Sequence, residues 1–302
     1  MDEGRELLTV DFRKGESLRY KFVSSREIVI GWDMPTATPR PGRPATDKSS
    51  ESMEVIMRYR PIEVDPYGLT TLEATCESVR VSRSKGPRRD AVQSLAGKTF
   101  TLTVGPTGRI EDYSQLDRLL KEIGEKAFRT SADRGRIKEP EMIADFVAVQ
   151  WFLWDSISSI EKPSEGVKAG QSWKSKLSVP TPMVMRKARD VTYTLDEIRP
   201  GEQGRLAIIA SSFEAADSVP RGWPIPYSGS FQMVGPFGFY RNYKVLSLLG
   251  RGEELFNIDR GRTERYSQQY ELQLSASLLL PLPGANPKIT INQNLTMELL
   301  GG

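Results

Sequence analysis

Thirteen residues near the end of the chain, KITINQNLTMELL (288–300), alternate with a period of two. Ile289, Ile291, Gln293, Leu295, Met297 and Leu299 fall on one side, and Thr290, Asn292, Asn294, Thr296 and Glu298 on the other. Such a segment gathers its apolar side chains on one face only as a strand, and that strand belongs to a sheet with one dry and one wet side. Strand-forming sequence recurs along most of the 302 residues. SLRYKFVSSREIVIGW (17–32), SMEVIMRYRPIEV (52–64), LTTLEATCESVRVS (69–82) and KTFTLTVG (98–105) are rich in β-formers. The second half adds QSWKSKLSV, RKARDVTYTLDEI, RLAIIASSFEA, FYRNYKVLSLL, EELFNI and TERYSQQYELQLSASLLL. Short turn sequences such as GPTG and DRG join neighbours, which predicts an antiparallel meander.

The strands come in two similar series. GRIEDYSQ (108–115) and GRTERYSQ (261–268) agree at six of eight positions. Upstream, GESLRYK at Gly15 parallels GQSWKSK at Gly170, and YRPIEVDP at Tyr59 parallels YTLDEIRP at Tyr193. The outer matches are offset by 155 and 153 residues and the middle one by 134. The difference falls in Pro-rich and Gly-rich segments, 32–51 in the first half and 217–238 in the second, where loops absorb insertions. This order predicts an internal duplication: a first meander over 1–112, a helical insertion over 113–160 and a second meander over 161–302, all in one domain. The shared octet reads as a hairpin, with its glycine supplying the turn.

Two helices are predicted between the series. Over 113–129, Leu116, Leu119, Leu120, Ile123 and Phe128 form an apolar stripe, and Asp112 with Gln115 has capping-box spacing. Over 141–160, EMIADFVAVQWFLWDSISSI follows Pro140. There Glu141, Asp145, Asp155, Ser156 and Ser159 share a narrow arc, and apolar residues spread over the rest. A helix so widely apolar suits the hollow of a curved sheet. Gln150 points into the middle of that apolar arc and needs a partner.

The chain contains no histidine, which removes Ser-His-Asp and Cys-His nucleophiles, His bases and ordinary zinc sites. Acidic metal loops, a phosphate loop and a dinucleotide glycine fingerprint are absent from the sequence. The single cysteine, Cys76, permits no intrachain disulfide and reads as a small packing residue. Glu63 and Glu197 recur at matching positions and read as ends of equivalent strands rather than an acid–base pair. A net charge of +3 does not indicate nucleic acid. RVSRSKGPRRD, with Arg80, Arg83, Lys85, Arg88 and Arg89, reads as a solvated hairpin loop. No run of residues is apolar enough to span a bilayer as a helix. No enzyme, cofactor or metal is therefore expected.

One segment invites a ligand. Trp223, Tyr227, Phe231, Phe237, Phe239 and Tyr240 crowd a loop with prolines and glycines. Such a loop is expensive to leave in water. With Phe146, Val149, Gln150, Trp151, Leu153 and Trp154 of the second helix it forms the candidate site for an apolar ligand, helix as floor and loop as lid. The rival expectation is a structural or assembly protein that docks on a protein partner through residues 223–240.

A long meander curved around a helical insertion resembles the half-barrel of the bacterial lipoprotein-carrier and lipid-binding envelope proteins, the LolA and LppX/LprG-like group. KAGQSWKS, with Gly170 to Trp173, and GEELFNIDRGRTERYS, with Phe256 to Arg262, are similar to uncharacterised bacterial envelope proteins. The resemblance implies a lipid-like ligand held between sheet and helices. It also implies the cell envelope or periplasm, provided a signal segment was removed. The chain shows no lipobox, and MDEGRELLTVDF is charged from its second residue, so the cytoplasm is the alternative.

Overall fold

The computed structural model describes residues 4–32, 46–85, 90–129, 142–182, 187–219, 240–278 and 286–301. Five strands come first: β1 (Leu18–Trp32), β2 (Thr46–Val64), β3 (Thr70–Arg83), β4 (Thr99–Val104) and β5 (Ile110–Asp112). Helices α1 (Ser114–Arg129), α2 (Ile143–Phe152) and α3 (Asp155–Ser158) follow. Six more strands follow among the described residues: β6 (Ser172–Ser178), β7 (Ala188–Gly201), β8 (Gly204–Ala215), β9 (Tyr240–Asn257), β10 (Arg262–Leu278) and β11 (Pro287–Gly301). All eleven join one antiparallel sheet in the order β5-β4-β3-β2-β1-β11-β10-β9-β8-β7-β6.

Aligning Gly15 with Gly170, Tyr59 with Tyr193 and Gly108 with Gly261 pairs β1–β5 with β6–β10. Both series then run across the sheet in the same lateral order, with β11 between them. Their irregularities coincide as well. The β2–β3 register shifts between Pro61 and Glu63, and the β7–β8 register between Leu195 and Glu197, two to four residues after the matched tyrosines. Gly15, Gly170, Gly108 and Gly261 all have positive φ, the conformation that favours glycine.

The N-terminal segment shows how far the sheet curls. Glu6 exchanges backbone bonds with Val167, just before the edge strand β6 (2.8 and 2.9 Å). Val10 N–H donates to Pro106 O (2.8 Å), in the hairpin beside the opposite edge strand β5. The chain from Glu6 to Val10 reaches at most about 14 Å. Eleven flat strands would span about 48 Å. The two edges therefore approach one another at this end, and the segment straps across it. Leu8, Val10 and Phe12 are buried in the core. Asp11 N–H donates to Gly261 O (2.9 Å), so the strap holds both matched hairpins. A Cβ on Gly108 would lie 2.8 Å from the Trp154 Cβ and 2.9 Å from Val10, and one on Gly261 would lie 2.4 Å from the Asp11 nitrogen. These glycines thus serve close approach as well as turn geometry.

The inward face of the sheet carries the alternating apolar residues: Tyr20, Phe22, Ile28 and Ile30 on β1, Met53 to Tyr59 on β2, Ile289 to Met297 on β11. Helix α1 packs on β4, and its stripe residues Leu116, Leu120 and Ile123 are buried.

Three local expectations change. The helix expected over 141–160 breaks into α2 and α3, because Trp154 leaves helical geometry (φ −128°, ψ 6°). Its indole wedges edge-on against Phe12 (5.8 Å) and Tyr59 (5.7 Å). FYRNYKVLSLL and EELFNI are one strand, β9, continuous through Gly250 and Gly252. Added Cβ atoms there would lie 2.4 Å from the Tyr270 Cβ and 2.6 Å from the Ser267 oxygen. Glycine lets β9 and β10 pinch together. Finally, Asp112 accepts from Ser114 N–H (3.0 Å), but Gln115 turns back to accept from Thr101 N–H on β4 (3.2 Å), so the expected capping box does not form.

Candidate functional site

Helix α2 lies in the hollow of the sheet, and its acidic arc faces inward rather than toward solvent. Asp145, Gln150 and Ser156 are buried, and Asp155 is half-buried. Buried polar groups need partners, and the sheet supplies most of them. Asp145 accepts from Ser24 Oγ (2.8 Å) and Gln293 Nε2 (3.3 Å), and it pairs with Arg26 (2.9 Å). Arg26 also pairs with Glu51, Glu51 with Arg83 (2.8 Å), and Arg83 with Asp90. An ionic chain thus runs from α2 across three strands. Burial alone would lower Arg26 and raise Glu51. Asp145 and Glu51 instead hold Arg26 well above its usual range, and Arg26 and Arg83 hold Glu51 below its own.

The matched tyrosines grip the helices from the two series. Tyr59 on β2 donates to Gln150 Oε1 (2.6 Å), and Tyr193 on β7 donates to Asp155 Oδ2 (2.8 Å). Ser175 Oγ also donates to Asp155 (3.0 Å), and Trp173 Nε1 donates to Ser156 O (2.7 Å). Burial pushes Asp155 up to about 6 despite the Tyr193 and Ser175 bonds. Burial likewise pushes Glu254, which accepts from Thr263 Oγ1 (2.6 Å), up to about 7.

A third group surrounds Arg189, the second residue of β7. Its guanidinium stands over the rings of Phe213 (4.4 Å), Phe152 (4.7 Å) and Tyr270 (5.2 Å). All three of its nitrogens lack a hydrogen-bond partner among the described residues.

The residues expected to form the ligand floor are placed as follows. Phe146, Val149, Leu153 and Trp154 are buried core residues. Phe146 meets Phe100 edge-on (6.5 Å), from β4. Gln150 is satisfied by Tyr59 and by its own bond to Phe146 O (3.3 Å). Trp151 is half-buried and packs edge-on against Tyr113 (5.3 Å). Trp223, Tyr227, Phe231 and Phe237 lie outside the described residues. Glu63 and Glu197 are both exposed, at equivalent bulges of β2 and β7. Cys76 is buried, and burial pushes its thiol up to about 12. Of the basic segment, Arg80, Arg83 and Lys85 pair with Glu54, Glu51 and Asp47 of the same sheet, which ties them down. Arg88 and Arg89 lie outside the described residues.

Neither Arg26 nor Arg189 stands out in the sequence by motif. A signal for both exists in the pattern: Arg26 shares strand parity with Phe22, Ile28 and Ile30, and Arg189 with Val191, Tyr193 and Leu195. A charge on the dry side of an amphipathic strand marks a buried ionic site.

Fold and interior together define an open antiparallel sheet curled around a helical segment that it binds through buried polar pairs. The chain belongs to the family of unknown function DUF6263, whose model matches residues 52–203. No curated protein matches the sequence. A solved structure of the lipid–protein interactions in lipovitellin is similar in fold, with a TM-score of 0.51 and 11% identity over 96% of this chain and 26% of that one. This chain thus spans about a quarter of that protein's length. Among the described residues no helix is long and apolar enough to cross a membrane, and no group of three acidic or cysteine side chains is arranged to hold a metal ion.

Proposed function

We propose that this protein is a non-enzymatic binder of an apolar, lipid-like ligand, held between the concave sheet and the helices. The observation that carries the reading is the open, curled sheet with its dry face turned on a helical segment. A flat sheet covered by helices leaves no hollow, whereas a curled one has an interior that faces itself. The likeness in fold to lipovitellin, a protein whose lipid interactions have been described structurally, is compatible with this use. The two matched strand series support an origin by duplication. The helical insertion after the first octet is where the added function would reside. The half-barrel envelope carriers offer the nearest mode of action, and the envelope or periplasm the corresponding location.

The test uses the full chain, purified without detergent. Native mass spectrometry followed by solvent extraction is expected to show a copurifying lipid. After delipidation, a neutral fluorescent probe such as N-phenyl-1-naphthylamine is expected to bind at micromolar concentration, and Trp151→Asp to weaken that binding in a folded protein. Absence of both copurified lipid and probe binding would overturn the reading. Specific capture of one protein partner would then favour docking through residues 223–240.

A further inference from the structure

Arg189 is 0% exposed. A guanidinium carries five donors and a charge that no protein environment removes. Burying it without an anion is costly, and folded chains ordinarily pair such a group or leave it near water. Among the described residues Arg189 stands over three aromatic faces, Phe152 from the end of α2, Phe213 from β8 and Tyr270 from β10, and Asp155 feels its charge without bonding to it. Cation–π contacts recover part of the cost but satisfy none of the N–H groups.

The surroundings share the deficit. Tyr270 Oη, buried beside Arg189, has no hydrogen-bond partner among the described residues, nor has Ser211 Oγ or Gln268 Nε2. The sheet register sets these residues on successive inward rows, the first of which pairs Arg189 with Ala215. Phe213 lies opposite Gly250, and Gly250 opposite Tyr270; one inward row along, Ser211 lies opposite Gly252, and Gly252 opposite Gln268. The unpartnered atoms therefore flank a stretch of β9 whose inward face has no side chains. They are a guanidinium, two hydroxyls and an amide nitrogen, a set dominated by donors. Such a set recognises an oxygen-bearing anion. With one unpaired cation in the group, a single negative charge balances it, and a second would be left buried without a partner.

We propose that Arg189 anchors the mono-anionic head group of an amphiphile, with the apolar tail directed along the dry face of the sheet. The inference rests on the apolar-ligand reading above and names the chemistry of the ligand's polar end. Tyr270, Ser211 and Gln268 supply further hydrogen bonds to the same head group. Two sources share this chemistry: the carboxylate of a long-chain fatty acid and the phosphodiester of a lysophospholipid.

The experiment titrates delipidated full-length protein with oleic acid, oleyl alcohol and oleoyl-lysophosphatidylglycerol, read by calorimetry. The wild type is expected to bind at least one of the two anions ten-fold or more tighter than the alcohol, and the tighter anion identifies the source. Arg189→Met is expected to abolish that preference while leaving the alcohol's affinity unchanged. It is also expected to melt at a higher temperature without ligand, because it removes a buried unpaired charge. Equal binding of acid, phosphodiester and alcohol by the wild type would overturn the head-group proposal while leaving the apolar-ligand reading intact. Failure of all three to bind would remove the underlying reading as well. A ligand-free Arg189→Met protein that melts lower, or fails to fold, with no anion preference in the wild type, would make Arg189 a structural cation of the aromatic cage.

Discussion

Replacing Arg26 by methionine removes one cation from a buried chain of five ionisable groups, and its two carboxylate partners respond differently. Glu51 keeps Arg83 at 2.8 Å. Asp145 keeps only the neutral donors Ser24 (2.8 Å) and Gln293 (3.3 Å). A carboxylate left buried without its cation costs about 3–5 kcal/mol, a large part of the 5–15 kcal/mol that ordinarily holds a domain folded. Asp145→Asn is milder. Arg26 retains Glu51, the new carbonyl still accepts from Ser24 and Gln293, and one charge-assisted bond is lost, about 1–3 kcal/mol. In R26M/D145N neither side of the broken pair is left charged. The double variant is therefore expected to be more stable than Arg26→Met alone, with a coupling energy of at least about 1.5 kcal/mol. Urea denaturation at pH 7, followed by circular dichroism and tryptophan fluorescence, measures all four corners of the cycle. If Arg26→Met is too unstable to purify, recovery of soluble protein on adding Asp145→Asn reads the same coupling. Additivity within about 0.5 kcal/mol would refute the view that Asp145 and Arg26 depend on one another.

Two further outcomes follow from the interior and the strap. Burial raises Glu254 from 4.5 to about 7, so its contribution to stability is complete below its unfolded pKa near 4.5 and is lost as pH rises through 7. At about 1.4 kcal/mol per unit, the loss between pH 4.5 and 8 is roughly 3 kcal/mol; Glu254→Gln is expected to flatten this part of the urea-midpoint profile, and an unchanged slope would contradict the burial argument. Gly261→Ala places a Cβ 2.4 Å from the Asp11 backbone nitrogen, whereas Gly15→Ala meets nothing within 4 Å. Both incur the positive-φ penalty of about 1 kcal/mol. Only Gly261→Ala should also detach the N-terminal strap, seen as faster hydrogen exchange at Asp11 than in Gly15→Ala; equal exchange in the two variants would show that the strap does not depend on the hairpin.

The strand content was legible because alternation is a local property. The KITINQNLTMELL pattern is the burial pattern of β11 almost residue for residue. The octets were legible as hairpins for the same reason: a glycine that must turn declares itself beside residues that alternate. The fate of the second helix was less legible. Its composition announces a wide apolar surface, and its acidic residues and serines share one narrow arc, but nothing local says what that arc meets. The destination is the sheet, because Asp145 and Asp155 find donors on β1, β11, β6 and β7. Those strands lie up to 148 residues from the helix in sequence.

Sequence by itself determined that the chain makes long amphipathic strands in two similar series, that helices separate them, and that histidine chemistry is excluded. Each of these depends on neighbours along the chain or on composition. Only the tertiary structure decided that all eleven strands form one curled sheet, that its edges are strapped together by residues 6–10, and that the buried Arg189 guanidinium has no hydrogen-bond partner among the described residues. Curvature accumulates over many strand pairs, and the cost of a buried charge depends on every group brought around it. Neither quantity resides in any single stretch of sequence.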